Sequence, residues 1–226
     1  MAKAYSEIGD RAHVGFWLPM PIDWWVGLRG VQEMIMDLML YADQMLDLFK
    51  EYQRYAVALT EHVLKDGVVD SVGLGGSSTS MSVISPDLHR AFSLPFGKAI
   101  CDVTHRFDKP VLYHMCGKSR QALPITAEMG VDCFDALECP PTGNVDLAEV
   151  KSTFGKKIAL RGNVNSSHVM LNGTVEAVKQ AVIKCMNDAK QGGGYILGVG
   201  DQTPANTPDE NIFAMVESGR RHGRYD

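Results

Sequence analysis

A histidine and a cysteine stand two residues apart at His114 and Cys116, inside the apolar run Pro110 to Cys116. Alternate residues of a strand point to one face, so an imidazole nitrogen and a thiolate sulfur at this spacing can hold one metal ion, and zinc suits that soft pair best. No CxxC pair accompanies them, so an open catalytic site is expected rather than a closed four-ligand structural one. Glu138, Cys139 and Asp201 are the candidates for a third ligand. The same spacing also suits a hydrogen-bonded histidine and a cysteine that merely fills space.

Other reactive side chains follow other apolar runs. Glu138 can serve as a general base or hold His114 by a hydrogen bond, and it equally suits a cap or an arginine partner. Asn163, after Arg161-Gly162, offers an amide to a substrate oxygen or organises its own turn. Arg161 fits a carboxylate clamp or a salt bridge. Gly73-Leu74-Gly75-Gly76 lacks the third glycine of a phosphate-cradling loop. Trp17, Trp24 and Trp25 read as core, pocket wall or oligomer contact. Met34, Met36 and Met39 read as core filler or interface, not ligands.

Six β-like runs carry these residues: His13 to Leu18, Val68 to Leu74, Pro110 to Cys116, Val131 to Leu137, Lys157 to Gly162 and Tyr195 to Val199. Helical patterns fill the gaps: two over Gly30 to Lys65, then Asp87 to Arg106, Ser119 to Met129, Leu147 to Phe154, Val175 to Lys190 and Pro208 to Arg221. Such alternation predicts βα units around a parallel sheet. Ser85-Pro86-Asp87 and Thr207-Pro208-Asp209 each set a capping hydroxyl before a first-turn proline. Gly67, Gly130 and Gly155 are expected to close helices in left-handed geometry. With no GxGxxG after a strand, a doubly wound nucleotide sheet is disfavoured, and in a barrel every strand end converges on one mouth.

The chain of 226 residues, 45% hydrophobic and 22% charged, can bury a full core. A formal charge of -5 gives no pull toward nucleic acid or anionic lipid, so a small-molecule or protein partner is expected. With no long apolar segment and no signal-peptide core, the expected location is the cytoplasm. Five cysteines, an odd number, argue against a disulfide scaffold.

The order of several motifs resembles the uroporphyrinogen decarboxylase superfamily. They are Tyr113-His114-Met115-Cys116-Gly117, Asp146-Leu147-Ala148-Glu149-Val150-Lys151, Phe154-Gly155, Leu160-Arg161-Gly162-Asn163-Val164 and Thr207-Pro208-Asp209-Glu210-Asn211, with Ile84-Ser85-Pro86 and Leu94-Pro95-Phe96 in register. The resemblance covers the chain from Val14 onward. It implies a TIM, or (β/α)8-type, barrel over 1–226 as one domain, short of its N-terminal strands, with a partner chain expected in their place. Porphyrin decarboxylases of that family use no cofactor and an arginine-rich N-terminal segment, which has no match here. Its corrinoid-linked methyltransferases hold zinc by a His-x-Cys pair and a later cysteine, and His114 and Cys116 match the pair. Counted back from Thr207-Pro208, the later cysteine falls at Asp201, an oxygen ligand that makes a harder site. The reading that follows is a zinc-dependent methyltransferase, with His114, Cys116 and Asp201 on the metal and Glu138, Asn163 and Asp201 as catalytic residues. It would exchange a methyl group with cobalamin on a separate corrinoid protein, and it is expected to be a homo-oligomer. The alternatives are a uroporphyrinogen decarboxylase, a carboxy-lyase without metal, and a non-catalytic truncated barrel.

Overall fold

The computed structural model describes residues 2–225. Helix α1 (Ala2–Ile8) precedes β1 (Gly15–Pro19), α2 (Pro21–Arg29), α3 (Val31–Leu40), α4 (Ala42–Lys65) and β2 (Ser71–Gly75). Then come α5 (Pro86–Phe92), α6 (Leu94–His105), β3 (Val111–Met115), α7 (Leu123–Glu128) and β4 (Cys133–Ala136). The chain ends with α8 (Leu147–Phe154), β5 (Ala159–Val164), α9 (Val175–Ala189), β6 (Tyr195–Val199) and α10 (Asp209–His222). All six expected strands are present, in the order β1-β2-β3-β4-β5-β6. This is the strand and helix alternation of a (β/α)8-type barrel with six of its units.

Two compact units emerge, Met1–His114 with Gln121–Asp132, and Met115–Arg120 with Cys133–Asp226. In the first, β1, β2 and β3 pair in parallel, with Phe16 opposite Val72 and Val72 opposite Val111. Four of the five β2 residues are buried, as expected of a parallel strand covered on both faces. Beside it Ile22, Met34, Leu38, Met45, Phe49 and Phe92 form a core cluster. In the second unit β5 pairs with β4 and β6, with Cys133 opposite Ala159 and Leu160 opposite Tyr195. Its helix α9 turns Val178, Val182 and Met186 inward, spaced by four residues along one face.

Punctuation explains most boundaries. Ser85 accepts a bond from the Leu88 amide and Thr174 one from Ala177, the side-chain capping of orphan helix donors. Thr207 does not cap: α10 has Pro208 at its cap position, and the Thr207 hydroxyl is buried with no partner among the described residues. Gly67 and Gly130 adopt φ of +65° and +90°, as their turns require, whereas Gly155 is right-handed at -64°. The stretch expected as one helix from Asp87 breaks at Ser93, because Pro95 cannot donate to the preceding turn. Helix α2 and a π-helical turn, Ser166–Leu171, were not expected.

Candidate metal centre

Strand β3 alternates as its sequence requires. Val111, Tyr113 and Met115 are buried, while Leu112 and His114 are half-buried. Cys116 continues that half-buried face one step past the strand, so imidazole and thiol share a side, which the β period of two dictates. Asp201 stands in the loop after β6 and is also half-buried. One ligand atom from each of His114, Cys116 and Asp201 lies within 4.8 Å of the others, and among the described residues this is the group of three such side chains so placed. Zinc bonds nitrogen and oxygen at ~2.0–2.2 Å and sulfur at ~2.3 Å, which in a tetrahedron separates ligand atoms by roughly 3.3–3.8 Å. The three atoms therefore fit a zinc ion after modest side-chain adjustment.

Glu138, just beyond β4, is 5% exposed. Its Oε2 accepts the Gly117 amide at 2.5 Å, which ties it to the residue next to Cys116. Gly200, next to Asp201, packs against the same acid: a Cβ there would meet Glu138 Cα at 3.4 Å and Cγ at 3.5 Å. Glu138 is thus set between the neighbours of two ligand candidates, the position of a group that supports ligands from behind.

Asn163 lies inside β5 and is buried. Its Nδ2 donates to the Leu137 carbonyl at 2.9 Å, and its Oδ1 accepts the Cys185 thiol at 3.5 Å. Its own carbonyl accepts the Cys139 thiol at 3.4 Å. The amide nitrogen therefore braces the turn that delivers Glu138, and the amide oxygen ties β5 to Cys185 on α9. Cys139 lines a separate cavity of about 450 Å3 with Asn165, His168 and Cys185, and burial pushes both thiols above their usual range. Arg161 pairs with the buried Asp135.

One acid escaped the sequence reading. Asp23, in the first turn of α2, accepts the Ser78 amide at 2.7 Å through Oδ1. Its Oδ2 is buried without a partner among the described residues. Burial raises its pKa to about 6, opposed by the Ser78 bond and by the charge of His114. The signal was Pro21-x-Asp23, a proline at the first helical position with an acid in the first turn, which marks a helix start.

Sequence comparison matches residues 20–222 to the uroporphyrinogen decarboxylase (URO-D) family. Among curated relatives, a methylated-thiol--coenzyme M methyltransferase of Methanosarcina mazei is 26% identical over 79% of this chain and 43% of its own length. The methylcobamide:CoM methyltransferase MtbA of the same organism is 26% identical over 74% of this chain and 46% of its own. A uroporphyrinogen decarboxylase of Synechocystis is 24% identical over 61% and 37%. The chain spans less than half the length of these relatives. In fold it superposes on a methyltransferase from Methanosarcina mazei with a TM-score of 0.79 and 19% identity, over 96% of this chain and 60% of the other. Enzymes of two reaction types are thus its relatives, and the long family match leads to one statement. The chain belongs to the uroporphyrinogen decarboxylase family.

Proposed function

We propose that this chain is the zinc-binding part of a cytoplasmic methyltransferase that exchanges a methyl group with a corrinoid carried on a separate protein. The observation that carries the reading is the approach of the His114, Cys116 and Asp201 ligand atoms to within 4.8 Å; the methyltransferase relatives support it. His114, Cys116 and Asp201 would hold the ion. A bound zinc supplies Lewis acidity that lowers the pKa of a thiol or oxygen acceptor at neutral pH. Glu138 holds the Gly117 backbone beside Cys116 and would take or return a proton from the acceptor. Asn163 keeps the Glu138 turn in place through Leu137.

Metal analysis tests this directly. Purified chain dialysed against zinc and then against weak chelator is expected to retain about one equivalent, and His114→Ala or Cys116→Ala to retain almost none. Asp201→Cys is expected to bind at least tenfold tighter, because a thiolate replaces a harder oxygen. Metal retention unchanged in both His114→Ala and Cys116→Ala would overturn the reading. Decarboxylation of a porphyrinogen, undiminished by chelation, would place the chain with its other relatives instead.

A further inference from the structure

The main chain of His114 is held by a turn that follows the neighbouring strand β2, where Ser77–Thr79 form one turn of 3-10 helix. The Gly76 amide donates to the His114 carbonyl at 2.8 Å. One residue earlier in β3, the Tyr113 hydroxyl lies 2.7 Å from Thr79 Oγ1. The Thr79 hydroxyl has a single proton and gives it to the Gly76 carbonyl at 2.6 Å, so the phenol is the donor to Thr79. Burial pushes the Tyr113 pKa up, which keeps that proton in place. The turn therefore grips β3 twice, at His114 through its carbonyl and at Tyr113 through its side chain.

That grip is tightly packed. Thr79 and Tyr113 are both buried, and a Cβ on Gly76 would fall 2.5 Å from Thr79 Oγ1 and 2.6 Å from the Tyr113 hydroxyl oxygen. The bonded pair thus fills the space that a side chain at 76 would need. The turn in turn is fixed by Asp23, whose Oδ1 accepts the Ser78 amide at 2.7 Å. Helix α2 delivers this acid: Pro21 opens the helix, Asp23 stands in its first turn, and Ile22 between them is anchored in the core cluster.

We infer that Asp23 is a positioning residue for His114, acting through the Ser77–Thr79 turn, with Thr79 and Tyr113 as the links that carry its hold to the strand. The inference rests on the reading of His114 as a metal ligand. Glu138 plays the matching part for Cys116, taking the amide of the adjacent Gly117. Each acid thus secures a backbone amide of the segment that sets its ligand. Support of this kind from behind the ligands is typically worth ~10–100-fold in metal affinity.

Two pairs of substitutions test it. Asp23→Ala and Asp23→Asn both remove the charge, but only asparagine keeps an oxygen for the Ser78 amide. Thr79→Val removes the hydroxyl that joins Gly76 to Tyr113, and Thr79→Ser keeps it. Cobalt(II), a spectroscopic stand-in for zinc, is titrated into the metal-free full chain. Asp23→Ala and Thr79→Val are expected to weaken cobalt binding roughly 10–100-fold and to alter its d–d absorption. Thr79→Ser is expected to bind as wild type does, and Asp23→Asn to lose at most about fivefold, the worth of one solvent-screened charge. Wild-type affinity and spectrum in Asp23→Ala or Thr79→Val, or a loss in Asp23→Asn as large as in Asp23→Ala, overturns the proposal. Should Asp23→Ala not fold, the Thr79 pair decides, and equal losses in valine and serine overturn it. A wild-type chain that takes up no cobalt would sink the metal reading instead, and the positioning is then decided without metal. The His114 ring signal in proton–carbon correlation spectra, assigned by its loss in His114→Ala, is expected to broaden or split in Asp23→Ala and to stay single and sharp in Asp23→Asn; a single sharp signal in both overturns the positioning.

Discussion

Asn163 illustrates how a polar side chain in a core acts through what it holds. Its amide donates to Leu137 and accepts from Cys185, and burial leaves neither partner a ready substitute. Asn163→Ala strands a carbonyl and a thiol and is expected to cost about 1–3 kcal/mol, the typical penalty of an unsatisfied buried group. Urea unfolding checks this, and a variant as stable as wild type would return Asn163 to direct contact with substrate. The types and spacing of His114, Cys116 and Glu138 marked them in the sequence, because strand alternation is a local rule. Asp23 was passed over, since nothing local to its sequence announces that one of its oxygens will be sealed from water.

At the scale of elements, the register of β1 against β2 makes one glycine indispensable. Trp17 lies opposite Gly73, and a Cβ on Gly73 would fall 2.4 to 2.5 Å from carbons of the indole ring. Gly73→Ala is therefore expected to destabilise by about 1–3 kcal/mol, the range for overpacking. A double-mutant cycle with Trp17→Ala should recover most of the loss; additive losses would mean that the clash is relieved elsewhere. The six strands were legible because each is an apolar run between turn residues. Helix α2 was not, since Ile22, Trp24, Trp25 and Val26 give it apolar character all round and no helical stripe for periodicity to find. The π-helical turn Ser166–Leu171 was hidden too, because Asn165, which caps it through the His168 amide, also suits a plain turn. The α3 methionines divide: Met34 is core, whereas Met36 and Met39 face outward.

Over the whole molecule, two buried groups pull stability in opposite directions as pH falls. His89 is buried and its pKa is lowered to about 4 by desolvation. It stays neutral in the folded chain while the unfolded histidine protonates near its ordinary 6.5, so its contribution is present above about pH 6.5 and is lost as pH falls toward 4. Asp23 has the reverse sign. Its folded pKa of about 6 lies above the unfolded 3.8, so its burial costs stability above pH 6 and that cost is relieved as pH falls from 6 toward 4. Asp23→Asn removes the relief. The stability of that variant relative to wild type is therefore expected to drop by about 1–3 kcal/mol between pH 7 and pH 4.5. Denaturant titrations at the two pH values check it, and a constant difference would mean that Asp23 titrates as it does in the unfolded chain.

The sequence by itself determined the number and order of the βα units and the shared face of His114 and Cys116, because both follow from periodicity along a few neighbouring residues. Through the family resemblance it also marked Asp201, by its place before Thr207-Pro208, as the position where the later cysteine of the methyltransferases is expected. Only the tertiary structure decided that an oxygen of Asp201 approaches the nitrogen and sulfur of that pair, that Asn163 braces the Glu138 turn, and that the outer rows of α3 lie bare. Each of those depends on how distant segments pack, and the free energy of packing is set by surfaces brought together in space, which no local pattern encodes.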